Sequence, residues 1–448
     1  MDNYRSCFKG KKITVMGLGI LGRGLGYTKF LAECGADLIV TDLKSREQLK
    51  TSIKVLEKFK NIKFVLGKHS LEDFRKRDMV IKSAGVPLDS IYIKEARKNK
   101  IRVEMDVSLF IKTAPKITVV GITGTRGKSM TTALIYEILS KNLNGKKVYL
   151  GGNVRGVATL PLLKKAKEGD VLVCELDSWQ LQGFGDAKIS PNMAIFTSFM
   201  PDHMNYYKNS MNKYFSDKAN IFKYQKEKDI LITNNEVKKL IKGKIKSKII
   251  LADKKSVDGF KFIVPGDHQK QNLAYAVEVA RQFKIPIEKI KKTVAKFSGL
   301  EGRLQYVKNV KGVKIYNDNN ATTPEATIAG IKALVYKSPD VGRLEKLVLI
   351  CGGSDKKLSL DNLADTINKY CKAVIMIPGN GTERLITNYK LEITNKKAKD
   401  IKEAVKFAIN IAEDGDIILF SPAFASFGQF NNEYERNDLF MKIIKDLK

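Results

Sequence analysis

An α/β protein made of three domains, each built on a mostly parallel sheet, is the fold that this sequence predicts. Short apolar runs suited to buried strands alternate with helical patterns from end to end, which is the mark of parallel sheets covered by helices. Each third of the chain carries a glycine-bearing turn directly after a strand, where open α/β sheets place their ligands. The 448 residues exceed one ordinary domain of about 100–200 residues. The content of 43% hydrophobic and 29% charged residues is a globular balance, with enough apolar material for separate cores.

The first set of strands is expected at Ile13 to Gly17, Asp37 to Asp42 and Met79 to Gly85, and it ends at the break Thr113-Ala114-Pro115. This defines a Rossmann-like domain over residues 1–113. The second set opens at Lys116 and includes Val171 to Asp177 and Met193 to Phe199, giving a central domain of the phosphate-loop ATPase type over 114–302. The third has Lys346 to Gly353, Ala373 to Gly379 and Asp416 to Pro422, a second Rossmann-like domain over 303–448.

Eighty Lys and Arg against forty-eight Asp and Glu give a formal charge of +32, a value that raises nucleic acid or an anionic membrane as partners. The distribution argues against both, because lysines are interleaved with acids along the chain rather than gathered beside stacking aromatics. The densest run, Lys238 to Lys248, holds no aromatic residue and is expected to be a solvated surface. A positive field still favours phosphate-bearing substrates. Cys7, Cys34, Cys174, Cys351 and Cys371 are odd in number and far apart, with no zinc-type spacing, which fits a reducing compartment. No signal-peptide stretch opens the chain and no run reaches the roughly 18 apolar residues of a membrane span. A cytoplasmic monomer is the expectation.

Two motifs carry chemistry. Gly17, Gly19 and Gly22 form G-x-G-x-x-G between a strand and a helix, and Asp42 closes the next strand. Taken alone this spacing suggests an NAD-dependent oxidoreductase. Its physical content is narrower: glycines let backbone approach a diphosphate at a helix amino terminus, and the acid accepts hydrogen bonds from a ribose or base. The second motif, Gly121 to Ser129, lies between an apolar strand and a helix with the apolar pairs Leu134/Ile138 and Ile135/Leu139. That is the setting of a phosphate-binding loop. Backbone N–H groups of Gly124, Thr125, Arg126 and Gly127 would hold phosphates, Lys128 would neutralise charge between the β and γ positions, and Ser129 would reach magnesium. Ile122 stands where the strict pattern has glycine.

The stretch GITGTRGKSMTT resembles the ATP loop of the Mur ligase family, the amide-forming enzymes of peptidoglycan precursor synthesis. Further segments resemble the family in order: Gly151-Gly152-Asn153, Glu175 to Leu181, Pro201 to Met204, Tyr214 to Lys218, Gly266 to Asn272, Gly302-Arg303, Asn317 to Thr322 and Ser421 to Ser426. The closing Ser421 to Phe440 and the dinucleotide-like opening are similar to the member that adds D-glutamate to UDP-N-acetylmuramoyl-L-alanine. In that member the first domain holds the UDP end of the substrate.

The resemblance implies an ATP- and magnesium-dependent ligase working through an acyl phosphate, with small-molecule substrates. It implies Lys128, Glu175, His203 and Lys218 as catalytic residues, with Ser129, Glu175 and His203 toward magnesium. Asn272, Arg303 and Asp318 would hold the nucleoside of ATP, a division that implies domain closure. Ile20, Leu21, Asp42, Ser83 and Asn153 would contact the sugar nucleotide; Thr322, Lys356 and Ser426 would hold the incoming amino acid. The family carries a carbamate at Lys218, which needs a neutral amine and hence a pKa lowered by burial or nearby cations; read from sequence alone, Lys218 is a solvated helical lysine. Asn320, Asp177 and Glu433 depart from the family's lysine, serine and aromatic residue. Another Mur-type or folylpolyglutamate-type ligase, or an oxidoreductase using the first motif alone, are the alternatives.

Overall fold

The computed structural model describes residues 3–335 and 346–447. Among the described residues seventeen strands form three sheets. The first contains β1 (Lys12–Met16), β2 (Asp37–Asp42), β3 (Ile62–Leu66), β4 (Met79–Lys82) and β5 (Arg102–Glu104), in the order β3-β2-β1-β4-β5 and parallel throughout. The second contains β6 (Thr118–Thr123), β7 (Val148–Gly152), β8 (Val171–Glu175), β9 (Met193–Phe196), β10 (Ile230–Thr233) and β11 (Lys248–Leu251). Its order is β11-β10-β9-β6-β8-β7, again all parallel.

The third contains β12 (Gln305–Val310), β13 (Val313–Asn317), β14 (Leu347–Gly352), β15 (Cys371–Ile377), β16 (Thr394–Lys397) and β17 (Ile417–Phe420). It runs β12-β13-β17-β14-β15-β16, and only the edge strand β12 is antiparallel to its neighbour. The expected α/β class with three sheets is therefore observed. Central strands such as β8 and β14 are buried along their whole length, as strands covered by helices on both faces must be.

The chain divides into two compact units: residues 1–259 with 271–293, and residues 260–270 with 294–448. Within the first unit the first two sheets share one continuous core, running from Ile13, Phe30 and Leu38 to Leu160, Leu172 and Phe184. Asp106 fastens them by accepting the backbone N–H groups of Thr159 (2.8 Å) and Leu160 (2.7 Å). In the second unit the third sheet has apolar clusters on both faces, one around Leu349 and Leu419, the other around Ile350 and Phe420. Among the described residues no helix is long and apolar enough to cross a membrane. None of the five cysteines takes part in a disulfide.

Candidate active site

At the carboxyl edge of the first sheet the glycine fingerprint lines a cavity of about 250 Å³, together with Ile20, Leu21, Lys44, Lys82, Ser83 and Gln180. Gly17 has φ 90°, and a Cβ there would come within 2.5 Å of Ser83 Oγ, so glycine is what lets β1 and the turn after β4 meet. The N–H of Gly19 donates to one Asp42 oxygen and that of Lys44 to the other, each at 2.9 Å. Asp42 thus holds the fingerprint loop in shape by its own carboxylate, a use that the motif's spacing does not reveal.

The central loop follows β6. Ile122, the residue in place of the usual first glycine, is buried inside that strand, paired with Glu175, and lies outside the turn itself. Gly124 has φ 150°, and a Cβ on it would sit 2.0 Å from Thr197 Oγ1; a Cβ on Gly127, φ 87°, would sit 2.5 Å from Asn272 Oδ1. The residues after β9 brace the loop: Thr197 Oγ1 donates to Arg126 O (2.6 Å), and Ser198 accepts the N–H groups of Thr125 at its carbonyl and Arg126 at its hydroxyl, both at 2.8 Å. Thr197 and Ser198 were not singled out from the sequence; their only sign there is a pair of hydroxyls at the end of an apolar strand.

Lys128 opens the helix Lys128–Asn142, and its ammonium turns back to the carbonyls of Gly124 (3.0 Å) and Thr125 (3.1 Å). Ser129 lies half-buried on the same first turn. Lys218 approaches the same Gly124 carbonyl from the helix Met211–Ala219, at 2.8 Å, and lies 4.9 Å from the centre of the Tyr214 ring. It is only 1% exposed, which overturns the reading of a solvated lysine. Burial first, and then the charge of Lys128, hold its pKa well below the usual lysine range.

Around this pair lie the remaining central residues. Glu175 is buried at the end of β8; its carbonyl accepts the Asn153 N–H at 2.7 Å, and Asn153 Nδ2 reaches its carboxylate at 3.5 Å. His203 has φ 55° and packs against Trp179 with ring centres 4.7 Å apart. Burial lowers its pKa, opposed by Asp202 and reinforced by Lys128 and Lys218. Asp202 lies 3.5 Å from the Arg126 guanidinium. Asp177, the acid in place of the family's serine, caps the helix Ser178–Ala187 in a reciprocal pair with Gln180 (2.7 and 3.2 Å). Among the described residues no three His, Cys, Asp or Glu side chains form a metal-binding group.

In the second unit, Asn317 to Thr322 follow β13. Asp318 is buried and accepts from the Leu304 N–H (3.0 Å) and the Ser421 hydroxyl (3.1 Å). Burial raises its pKa to about 7. The adjoining Arg303 sits in the tight turn closed by its own N–H on Leu300 O at 3.1 Å. Lys356 donates to Thr322 Oγ1 at 2.9 Å. The bridge between Ser354 and Ala425 sets Ser426 beside the loop after β14. The three residues expected to hold an amino acid therefore lie on adjoining loops of one sheet edge. The fully buried Arg436 holds Asn319 at 2.8 and 2.9 Å, while the Glu433 carbonyl accepts from Asn319 at 2.9 Å.

Family models match along the chain: a Mur ligase MurD-like N-terminal domain over residues 11–104, a Mur ligase middle domain over 122–287 and a Mur ligase glutamate ligase domain over 302–424. The chain is 34% identical to the UDP-N-acetylmuramoylalanine--D-glutamate ligase of Borreliella burgdorferi, with 98% of each chain covered. The chain belongs to the Mur ligase family. As such it is an ATP-dependent ligase that forms a carbon–nitrogen bond. Among solved structures, this Mur ligase shares its fold with the UDP-N-acetylmuramate-alanine ligase MurC of Thermotoga maritima (TM-score 0.63, 18% identity, 98% and 100% of the chains covered). It shares it also with the MurF ligase of Thermotoga maritima, solved in complex with ADP (TM-score 0.58, 17% identity, 99% of each chain covered).

Proposed function

We propose that this Mur ligase joins D-glutamate to the terminal carboxyl of UDP-N-acetylmuramoyl-L-alanine in the cytoplasm, acting as a monomer. One observation carries the choice of amino acid: the likeness to a D-glutamate ligase runs over 98% of both chains and includes a MurD-like first domain. An oxidoreductase would leave the phosphate loop and its two lysines without a task.

A carboxylate resists attack by an amine because its oxygen is a poor leaving group, so it must first take a phosphoryl group from ATP. Transfer is chiefly a matter of positioning and of charge neutralisation. Lys128 and the N–H groups of Gly124 and Gly127 are assigned to the phosphates, while Thr125 and Arg126, whose N–H groups donate to Ser198, shape the loop around them. The loop is pre-shaped for them, since Thr197 and Ser198 already hold its backbone. Magnesium fits the donor set: Ser129, Glu175 and His203 offer few protein ligands, and this ion keeps several of its waters. When bound it would supply positive charge at the phosphoryl oxygens.

Lys218 is suited to carry a carbamate, because its amine is buried and its pKa is lowered. Carbamylation would convert the second of two neighbouring cations into an anion. Asn272 packs against Gly127 and, with Arg303 and Asp318, is assigned to the nucleoside. Ile20, Leu21, Asp42, Ser83 and Asn153 are assigned to the sugar nucleotide, with Asp42 acting through the Gly19 and Lys44 amides. Thr322, Lys356 and Ser426 are assigned to D-glutamate. The domains are assigned to residues 1–113, 114–302 and 303–448, one for each sheet.

The experiment supplies purified protein with ATP, magnesium, UDP-N-acetylmuramoyl-L-alanine and a panel of D- and L-amino acids, with products read by mass. A D-glutamyl adduct with one phosphate released per amide is expected. An adduct with a different amino acid would overturn the specificity, and no adduct at all would overturn the function.

A further inference from the structure

Lys82 ends β4 and immediately precedes Ser83 at the cavity of the first domain. It is 2% exposed, although every other residue of its strand is apolar. Its ammonium donates to Val86 O at 2.9 Å and reaches Ser83 O at 3.5 Å, so it closes the turn from within. Among the described residues no carboxylate lies within ion-pair distance of it. Asp177, Asp186 and Asp217 act on it only at longer range, and Arg97 opposes them. Burial lowers its pKa to about 8, which leaves the amine charged at neutral pH.

An ammonium has three N–H donors, and the two carbonyls account for two. A buried cation with a spare donor is costly to retain, and an apolar residue would serve the strand better. Lys82 lines the same cavity as Gly17, Gly19 and Ser83. We propose that Lys82 is a substrate-recognition residue whose remaining N–H binds an anionic group, phosphate or carboxylate, of the molecule held in that cavity. This deepens the proposed function and rests on its assignment of the cavity to the sugar nucleotide.

Titration calorimetry of the full chain with UDP and with UDP-N-acetylmuramoyl-L-alanine tests it, using the wild type, Lys82→Arg and Lys82→Met. Loss of a charge-assisted hydrogen bond should weaken binding to Lys82→Met by about 10- to 100-fold, with affinity largely restored in Lys82→Arg. Equal losses for both ligands would assign the contact to the diphosphate. A loss confined to the larger ligand would assign it to the carboxylate. Binding of both ligands to Lys82→Met within about twofold of wild type would overturn the proposal. If the wild type binds neither ligand, it is the cavity's assignment that fails, and the proposal with it. Should Lys82→Met not fold, a crystal structure of the wild type with UDP-N-acetylmuramoyl-L-alanine decides: an anionic oxygen within about 3.2 Å of Nζ supports the contact, and none within about 4 Å refutes it.

Discussion

Replacing Asp318 by asparagine should make the protein more stable, and increasingly so as pH rises. The Asp318 carboxyl lies in the core of the second unit, where Leu304 and Ser421 donate to it and Gly330 leaves room for one oxygen. Burial lifts its pKa from the ordinary 3.8 to about 7. Below the unfolded value both states hold the proton, and the group contributes no pH dependence. Between about pH 4 and 7 the unfolded chain releases its proton while the native one keeps it, so stability falls as pH rises. About three pKa units at 1.36 kcal/mol each amount to roughly 4 kcal/mol by pH 8. Asparagine is neutral throughout; its amide can accept from Leu304 and donate to Ser421. Urea unfolding of wild type and Asp318→Asn, followed by circular dichroism from pH 4 to 8, should give curves that coincide at the acid end and separate toward neutrality. A difference that stays constant with pH would refute the reasoning. If Asp318 also holds the ATP ribose, the stabilised variant should show a raised KM for ATP.

Asp177→Ala should cost about 1 kcal/mol by removing a helix cap, whereas Asp177→Ser should stay within a few tenths because serine caps equally well; thermal melts of both variants check this. Gly124→Ala should weaken binding of a fluorescent ATP analogue at least about tenfold, since a Cβ at φ 150° would press on Thr197. An unchanged Kd would contradict the assignment of this loop to phosphate. Protein equilibrated with ¹³C-bicarbonate should show a carbamate resonance that Lys218→Arg lacks. Identical spectra would show that the buried amine stays unmodified.

Much of the architecture could be read from apolar runs. The strands β1, β2, β6, β8 and β14 are buried on both faces, and their residues say so directly. The edge strands were silent for a physical reason. Arg102-Val103-Glu104 and Thr394 to Lys397 pair on one side only, and the second of these is exposed at every residue. Of the site, the phosphate loop was legible because a tight strand-to-helix turn needs glycine at Gly124 and Gly127, and sequence records that need. The buried state of Lys218 was legible only through family resemblance: what buries it is Thr123 and Gly124, more than ninety positions away in the chain. Asp42 shows the opposite case, a residue whose spacing suggested contact with a ligand and whose oxygens receive backbone N–H groups of its own domain.

The central claim is that ATP activates the carboxyl group of the sugar nucleotide before the amine attacks. Transfer of isotope tests it most directly, with ¹⁸O placed in the terminal carboxylate of UDP-N-acetylmuramoyl-L-alanine and turnover run with D-glutamate. An acyl phosphate delivers one labelled oxygen to each phosphate released. Unlabelled phosphate accompanying amide formation would contradict the account.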